Sequence, residues 1–231
     1  MSKKDIIKSL RSKLDIELRA LGFAYKSKEE SYVKLDKETQ LYFEISLLFL
    51  DYGDYEYASD GKYVELYVNV YHKEISNILL DTSTRNFLGS IFYFKIVGNL
   101  LADIILNPTI ADYTKRNNFN YFKFNFPAGK EAEVSDAVSS KMLSVINQQV
   151  IPFFDTVNTL EKIMYHLDQN YEGGLSIHNV NNERLLALAV LLLQFKDDKA
   201  LEKIQRIRAY FLSIDHSTAL VELDNILVKY N

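Results

Sequence analysis

The stretch Lys62-Tyr63-Val64-Glu65-Leu66-Tyr67-Val68-Asn69-Val70-Tyr71 decides how this chain is read. Val64, Leu66, Val68 and Val70 fall on one side of an extended backbone. Tyr63, Glu65, Tyr67, Asn69 and Tyr71 fall on the other. Successive side chains of a strand point to opposite faces, so strict alternation predicts a β-strand. An apolar face beside a polar one predicts an antiparallel sheet with a single buried face.

The same pattern extends to both sides. Leu41 to Leu50 sets Leu41, Phe43, Ile45, Leu47 and Phe49 against Tyr42, Glu44 and Ser46, before Leu48 and Leu50 turn the second face apolar. Ser31 to Leu35 reads as a short strand before it, and Asp36-Lys37-Glu38-Thr39 suits a hairpin turn. Asp51 to Gly61 reads as a polar loop. After the central strand, helical spacing is confined to Ile75 to Leu80 within the ambiguous segment 74–90. Ser90 to Val97 reads as a strand, with a helix continuing to Leu106 as the alternative. Asn120 to Phe126 alternates Phe122, Phe124 and Phe126 against Tyr121, Lys123 and Asn125, closed by Pro127, Ala128 and Gly129.

Helices flank these strands. In residues 3–21 the apolar positions Ile6, Ile7, Leu10, Leu14, Leu18 and Leu21 recur at three and four. Ser2 with Asp5 suits the start and Gly22 the stop. Val134 to Gln149 predicts a helix stopping near Ile151-Pro152. Asn158 is expected to cap the next one, with Glu161 completing a capping box, and Leu160, Ile163, Met164 and Leu167 form its buried stripe. Gly173-Gly174, within Asn170 to Ser176, marks the best boundary. Three helices follow over Asn182 to Phe195, Asp198 to Leu212 and Ser217 to Tyr230. Asp197 or Asp198 is expected to cap the second, and Asp215 or Ser217 the third. Leu185 to Leu193 has no polar face and must be sandwiched, being far shorter than the ~20 residues that span a bilayer.

The expected fold class is therefore α+β. An N-terminal helix packs on an antiparallel sheet and a C-terminal helical appendage follows. The domains expected are 1–172, an α+β domain, and 175–231, a small all-α appendage docked on it.

The order is a helix, then Leu21-Gly22-Phe23, then strands, then a helix ending in Ile151-Pro152-Phe153-Phe154-Asp155, then a capped helix. It resembles the bacterial family labelled domain of unknown function 4304 over residues 1–170. The resemblance implies a bacterial protein with a leading helix ending in Gly-Phe, a sheet, and a Pro-Phe segment before the last helix. It implies no activity.

Composition narrows the function classes. There is no cysteine, which removes disulfides, thiolate nucleophiles and the usual structural zinc sites, and fits a reducing cytoplasm. Met1 to Leu10 has lysines with no apolar run after them, so a signal peptide is not expected. The net charge of −4 is uneven. Residues 1–28 hold 8 basic and 3 acidic groups, and residues 29–74 hold 4 basic and 11 acidic ones. A basic helix packed beside an acidic sheet is the simplest reading. No basic face extends beyond that helix, so no nucleic-acid partner is expected.

Four sets of residues bear on chemistry. Asp51, Asp54, Glu56 and Asp60 crowd one loop. A calcium loop needs alternating ligands, a central Gly and a late Glu, and this loop has neither in place, so a solvated loop is favoured. Tyr63, Tyr67 and Tyr71 share a strand face, preceded by Tyr52, Tyr55 and Tyr57. Exposed tyrosines suit an interface, while a covered face would make them core. His72, His166, His178 and His216 show no metal-ligand spacing and read as structural or surface residues. There is no Gly-x-Ser-x-Gly elbow, and Gly173-Gly174 lacks the Lys-Ser or Lys-Thr of a phosphate loop. No catalytic set, metal or cofactor is therefore expected, and no membrane partner. The leading expectation is non-catalytic protein binding. The acidic, tyrosine-rich region (Tyr55, Tyr63, Tyr67, Tyr71, Asp51, Asp54, Glu56 and Asp60) would meet a basic protein, as an acidic immunity-type protein does. The alternative is an enzyme or small-ligand binder whose site is assembled from residues distant in sequence.

Overall fold

A computed structural model describes residues 1–51, 61–84, 97–100, 124–172 and 182–230. The fold is α+β. In chain order the elements are α1 (Lys3–Ala20), β1 (Ala24–Lys26), β2 (Ser31–Leu35), β3 (Leu41–Asp51), β4 (Gly61–His72) and α2 (Lys73–Thr82). Then come β5 (Val97–Leu100), β6 (Phe124–Pro127), α3 (Glu131–Val145), a π-helical turn (Ile146–Val150) and α4 (Ile151–Thr156). α5 (Leu160–Glu172), α6 (Asn182–Gln194), α7 (Ala200–Ser213) and α8 (Ser217–Tyr230) complete the chain. The strands form one sheet in the order β1-β2-β3-β4-β5, with β6 also paired to β4. The β1–β2, β2–β3 and β4–β6 pairs are antiparallel.

Two compact units divide the chain: Met1–Leu35, Tyr42–Asn69 and Gly98–Asp155 form the first, and Asp36–Leu41, Val70–Val97 and Thr156–Asn231 the second. This differs from the expected division at 172–175: α2 and α5 group with the last three helices rather than with the sheet. α6 explains the difference. It is apolar on all sides, so one neighbouring helix pair cannot cover it.

In the first unit, α1 begins in a capping box. The Ser2 hydroxyl accepts the Asp5 backbone N–H, and the Asp5 carboxylate accepts the Ser2 N–H. It ends at Gly22, whose φ of +88° lets the Phe23 N–H reach the Leu18 carbonyl at 2.9 Å and the Gly22 N–H reach Arg19 at 3.0 Å. Ile6, Leu10, Leu14 and Leu18 are buried completely, while Ile7 is half-buried and Leu21 is exposed. The Tyr32 hydroxyl of β2 donates to Asp15 at 2.7 Å, tying α1 to the sheet. Arg11 also pairs with Asp15 and lies over the Tyr25 ring. The acidic partners of the basic helix lie off the strands: Lys3 is 2.8 Å from Glu30, in the turn before β2, and Lys13 is 2.5 Å from Asp136 of α3.

The hairpin turn falls where expected: the Asp36 carboxylate accepts the Glu38 and Thr39 N–H groups at 2.9 and 3.1 Å. The stop near Ile151-Pro152 does not occur. The Ile151 N–H bonds to the Ile146 carbonyl, five residues back, and the helix resumes as α4. A π turn widens the backbone, so the Pro152 ring passes without ending the helix. The extension carries Phe154 against Phe43 and Phe23, with ring centres 4.9 and 6.1 Å away.

In the second unit α6 packs against α2, α5, α7 and α8, and every residue from Leu185 to Leu192 is buried. The sandwiching expected of this helix is what is observed. No helix among the described residues is long and apolar enough to cross a membrane. Three caps differ from expectation or resolve it. α5 is capped by Thr159, whose hydroxyl accepts the Lys162 N–H at 3.2 Å; Asn158 instead accepts the Lys162 ammonium. At α7 neither Asp197 nor Asp198 caps: the N-cap is Lys199 with no side-chain cap bond, and Asp197 accepts the Lys199 N–H at 2.9 Å in the turn before the helix. At α8 neither Asp215 nor Ser217 caps: His216 Nδ1 accepts the Ala219 N–H at 3.2 Å.

Candidate functional site

β4 is buried on both faces, contrary to the single buried face expected. Val64, Leu66, Val68 and Val70 are covered, and so are Tyr63, at 2% exposure, and Tyr71, at 8%. Tyr67 and Glu65 are half-buried. Alternation reports polarity, and tyrosine has an apolar body that packs as readily as it meets solvent. Tyr63 and Tyr71 are therefore interior residues, and an open contact surface built on the three tyrosines loses two of its members. Tyr52, Tyr55, Tyr57, Asp54, Glu56, Asp60 and His178 lie outside the described residues, as does the Asp51 side chain.

The tyrosine side of the sheet holds a polar cluster that the sequence did not announce. Asn69 Nδ2 of β4 donates to Glu44 Oε2 of β3 at 2.8 Å, and both residues are buried. A carboxylate only accepts, so this contact fixes the amide: its nitrogen faces Glu44 and its oxygen points away. Among the described residues Asn69 Oδ1 has no hydrogen-bond partner, and neither has Ser31 Oγ on β2, where Ser31 lies opposite Ser46. Three adjacent strands thus present oxygens on one face of the sheet. Such a face suits a ligand rich in donors, such as an amine or a polyol. The available signal was Glu44 and Asn69 within strands rich in apolar and aromatic residues.

A second feature lies between α1 and α3. An open groove of about 490 Å³ is lined by Lys13, Ile16, Glu17, Ser140, Leu143 and Asn147. Ile16 is 70% exposed. Lys13 is held at one wall by Asp136 and by Ser140 Oγ at 3.0 Å. The sequence signal was an isoleucine lying off the stripe of Ile6, Leu10, Leu14 and Leu18, on a face otherwise polar.

The histidines have local tasks. His72 Nδ1 accepts the Ile75 N–H at 3.4 Å and caps α2, and burial holds the ring below the usual imidazole range. Burial also lowers His166, helped by the nearby Arg184 charge. Among the described residues no group of three or more His, Asp or Glu side chains is arranged to hold a metal ion. Compared with protein-family models, curated proteins and solved structures, the chain matches none.

Proposed function

We propose that this chain is a non-catalytic protein-binding protein, in the manner of an acidic immunity-type protein. The carrying observation is the α1–α3 groove, where Ile16 stands 70% exposed between a cationic and an anionic wall residue, Lys13 and Glu17. A large apolar side chain in water is unfavourable by roughly 1.5–3 kcal/mol relative to its burial, and an open groove accepts a partner's side chain. The net charge of −4 favours a basic partner by long-range attraction. The test is affinity capture by the tagged protein and by Ile16→Asp, at low and high salt. A stoichiometric basic protein held by the wild type, and lost both in the variant and at high salt, is the expected result. Equal capture by both chains would remove the groove from the proposal.

A second reading is favoured by a separate observation, the buried Ser31 and Asn69 oxygens that have no hydrogen-bond partner among the described residues, with the Asn69 amide bonded to Glu44. It makes the sheet face a small-ligand site assembled from residues distant in sequence. Native mass spectrometry of the purified protein tests it: a co-purifying amine or polyol retained by the wild type and lost in Asn69→Leu is expected, and bare protein in both sinks it.

A further inference from the structure

We infer that α7 and α8 form a self-association face, and that its occupant is a second copy of this chain. At 100° per residue, Leu201, Gln205, Arg208 and Leu212 lie within about 60° of one another around α7, as do Ser217, Val221, Asp224 and Val228 around α8. Neither stripe is the buried one. α7 buries Ala200, Ile204, Ile207 and Phe211, and α8 buries Ala219, Glu222, Leu223 and Ile226. The stripes instead expose Leu201 at 69%, Leu212 at 62%, Val221 at 47% and Val228 at 77%.

Arg208 and Asp224 contact each other across the two helices. Ile214, Asp215 and His216 connect α7 to α8, so the helices run in opposite directions past this contact. Leu212 and Val221 then share the end near the connection, and Leu201 and Val228 share the far end. Each helix contributes two apolar side chains and one charge, and the charges are opposite. That composition is self-complementary. A two-fold axis along the groove between the helices sets each α7 against α8 of the other copy. It places Arg208 opposite Asp224, Leu212 opposite Val221 and Leu201 opposite Val228, twice over. An isologous interface requires this reciprocity. The product is an antiparallel four-helix arrangement with a charged layer between two apolar ones. A partner of single charge sign would leave Arg208 or Asp224 facing its like.

Analytical ultracentrifugation of the full chain at tens of micromolar tests the proposal. The wild type is expected at twice the 26.8 kDa chain mass, dissociating on dilution. Arg208→Asp and Asp224→Arg, each alone, set like charges against each other and are expected to weaken the dimer at least about tenfold. Mixed in equal amounts, the two variants place Asp opposite Arg at both contacts, and the dimer is expected to return. Val228→Glu, at the most exposed of these positions, is expected to sediment as a monomer with an unchanged far-ultraviolet spectrum. A wild type that stays at one chain mass overturns the inference. So does a dimer that survives Val228→Glu, or a pair of charge-reversed chains that fails to reassociate when mixed.

Discussion

His72 and His216 each use Nδ1 to receive a backbone N–H at a helix start, a task more often given to serine, threonine or aspartate. An acceptor nitrogen must be unprotonated, so each cap requires that nitrogen to stay free of a proton. Glycine does comparable work at the other end of α1. Gly22 sits at φ +88°, a conformation that costs a residue with a Cβ about 1–2 kcal/mol, while the nearest atom to such a Cβ would be the yielding Lys34 side chain at 3.6 Å. Gly22→Ala should therefore destabilise by roughly 1–2 kcal/mol through backbone strain rather than collision, and a urea titration beside wild type checks it. Lys203 is a third single residue with a defined task. It lies 2.6 Å from Asp168 and 3.2 Å from Asp197, joining α5 to the start of α7 with little solvent access. Lys203→Met leaves two carboxylates close together without their cation, and a loss of about 2–3 kcal/mol in chemical denaturation is expected.

At the scale of elements, α5 and α6 offer the sharpest tests. The start of α5 depends on which residue supplies the capping oxygen. Thr159→Ala should cost about 1 kcal/mol, and Asn158→Ala less, because the Asn158 side chain accepts from the exposed Lys162 ammonium rather than from a backbone N–H of the first turn. Comparing the two unfolding midpoints distinguishes the caps. α6 is a helix whose whole circumference is interior over Leu185 to Leu192. Leu188→Ala is expected to lose about 2–5 kcal/mol, in the range of a buried leucine truncation. A loss below about 1 kcal/mol would show that α6 is not packed as described. α8 is fastened to the end of α2 by polar contacts: Glu222 accepts from Ser83 at 2.8 Å and from the Thr84 N–H at 3.2 Å, and Asn225 donates to the Thr82 carbonyl at 3.0 Å.

For the whole molecule, pH is the accessible variable. His72 and His166 are both shifted downward, chiefly by burial, so between their folded values and the ordinary imidazole value of 6.5 the unfolded chain binds more protons than the native one. Their contribution to stability is complete above about 6.5 and is lost as pH falls from there toward the folded values. The urea midpoint should thus be lower at about pH 5.5 than at about pH 7.5, a window above the ordinary carboxylate range. His72→Asn keeps a capping oxygen without the titration and should shrink the difference. An unchanged difference would assign the effect to other groups. The α+β class, the capping box at Ser2, the stop at Gly22 and the sandwiched α6 were all legible in the sequence, because each follows from local periodicity or from the backbone needs of a few adjacent residues. The open tyrosine surface failed because a strand's alternation is blind to what covers it, and Tyr63 and Tyr71 are buried. Glu44 with Asn69, Ser31 opposite Ser46, and the Ile16 groove were decided by tertiary structure, since strand register and helix pairing set which distant residues meet. Sequence spacing alone fixes the direction a side chain takes from its own element; only packing determines what stands opposite it.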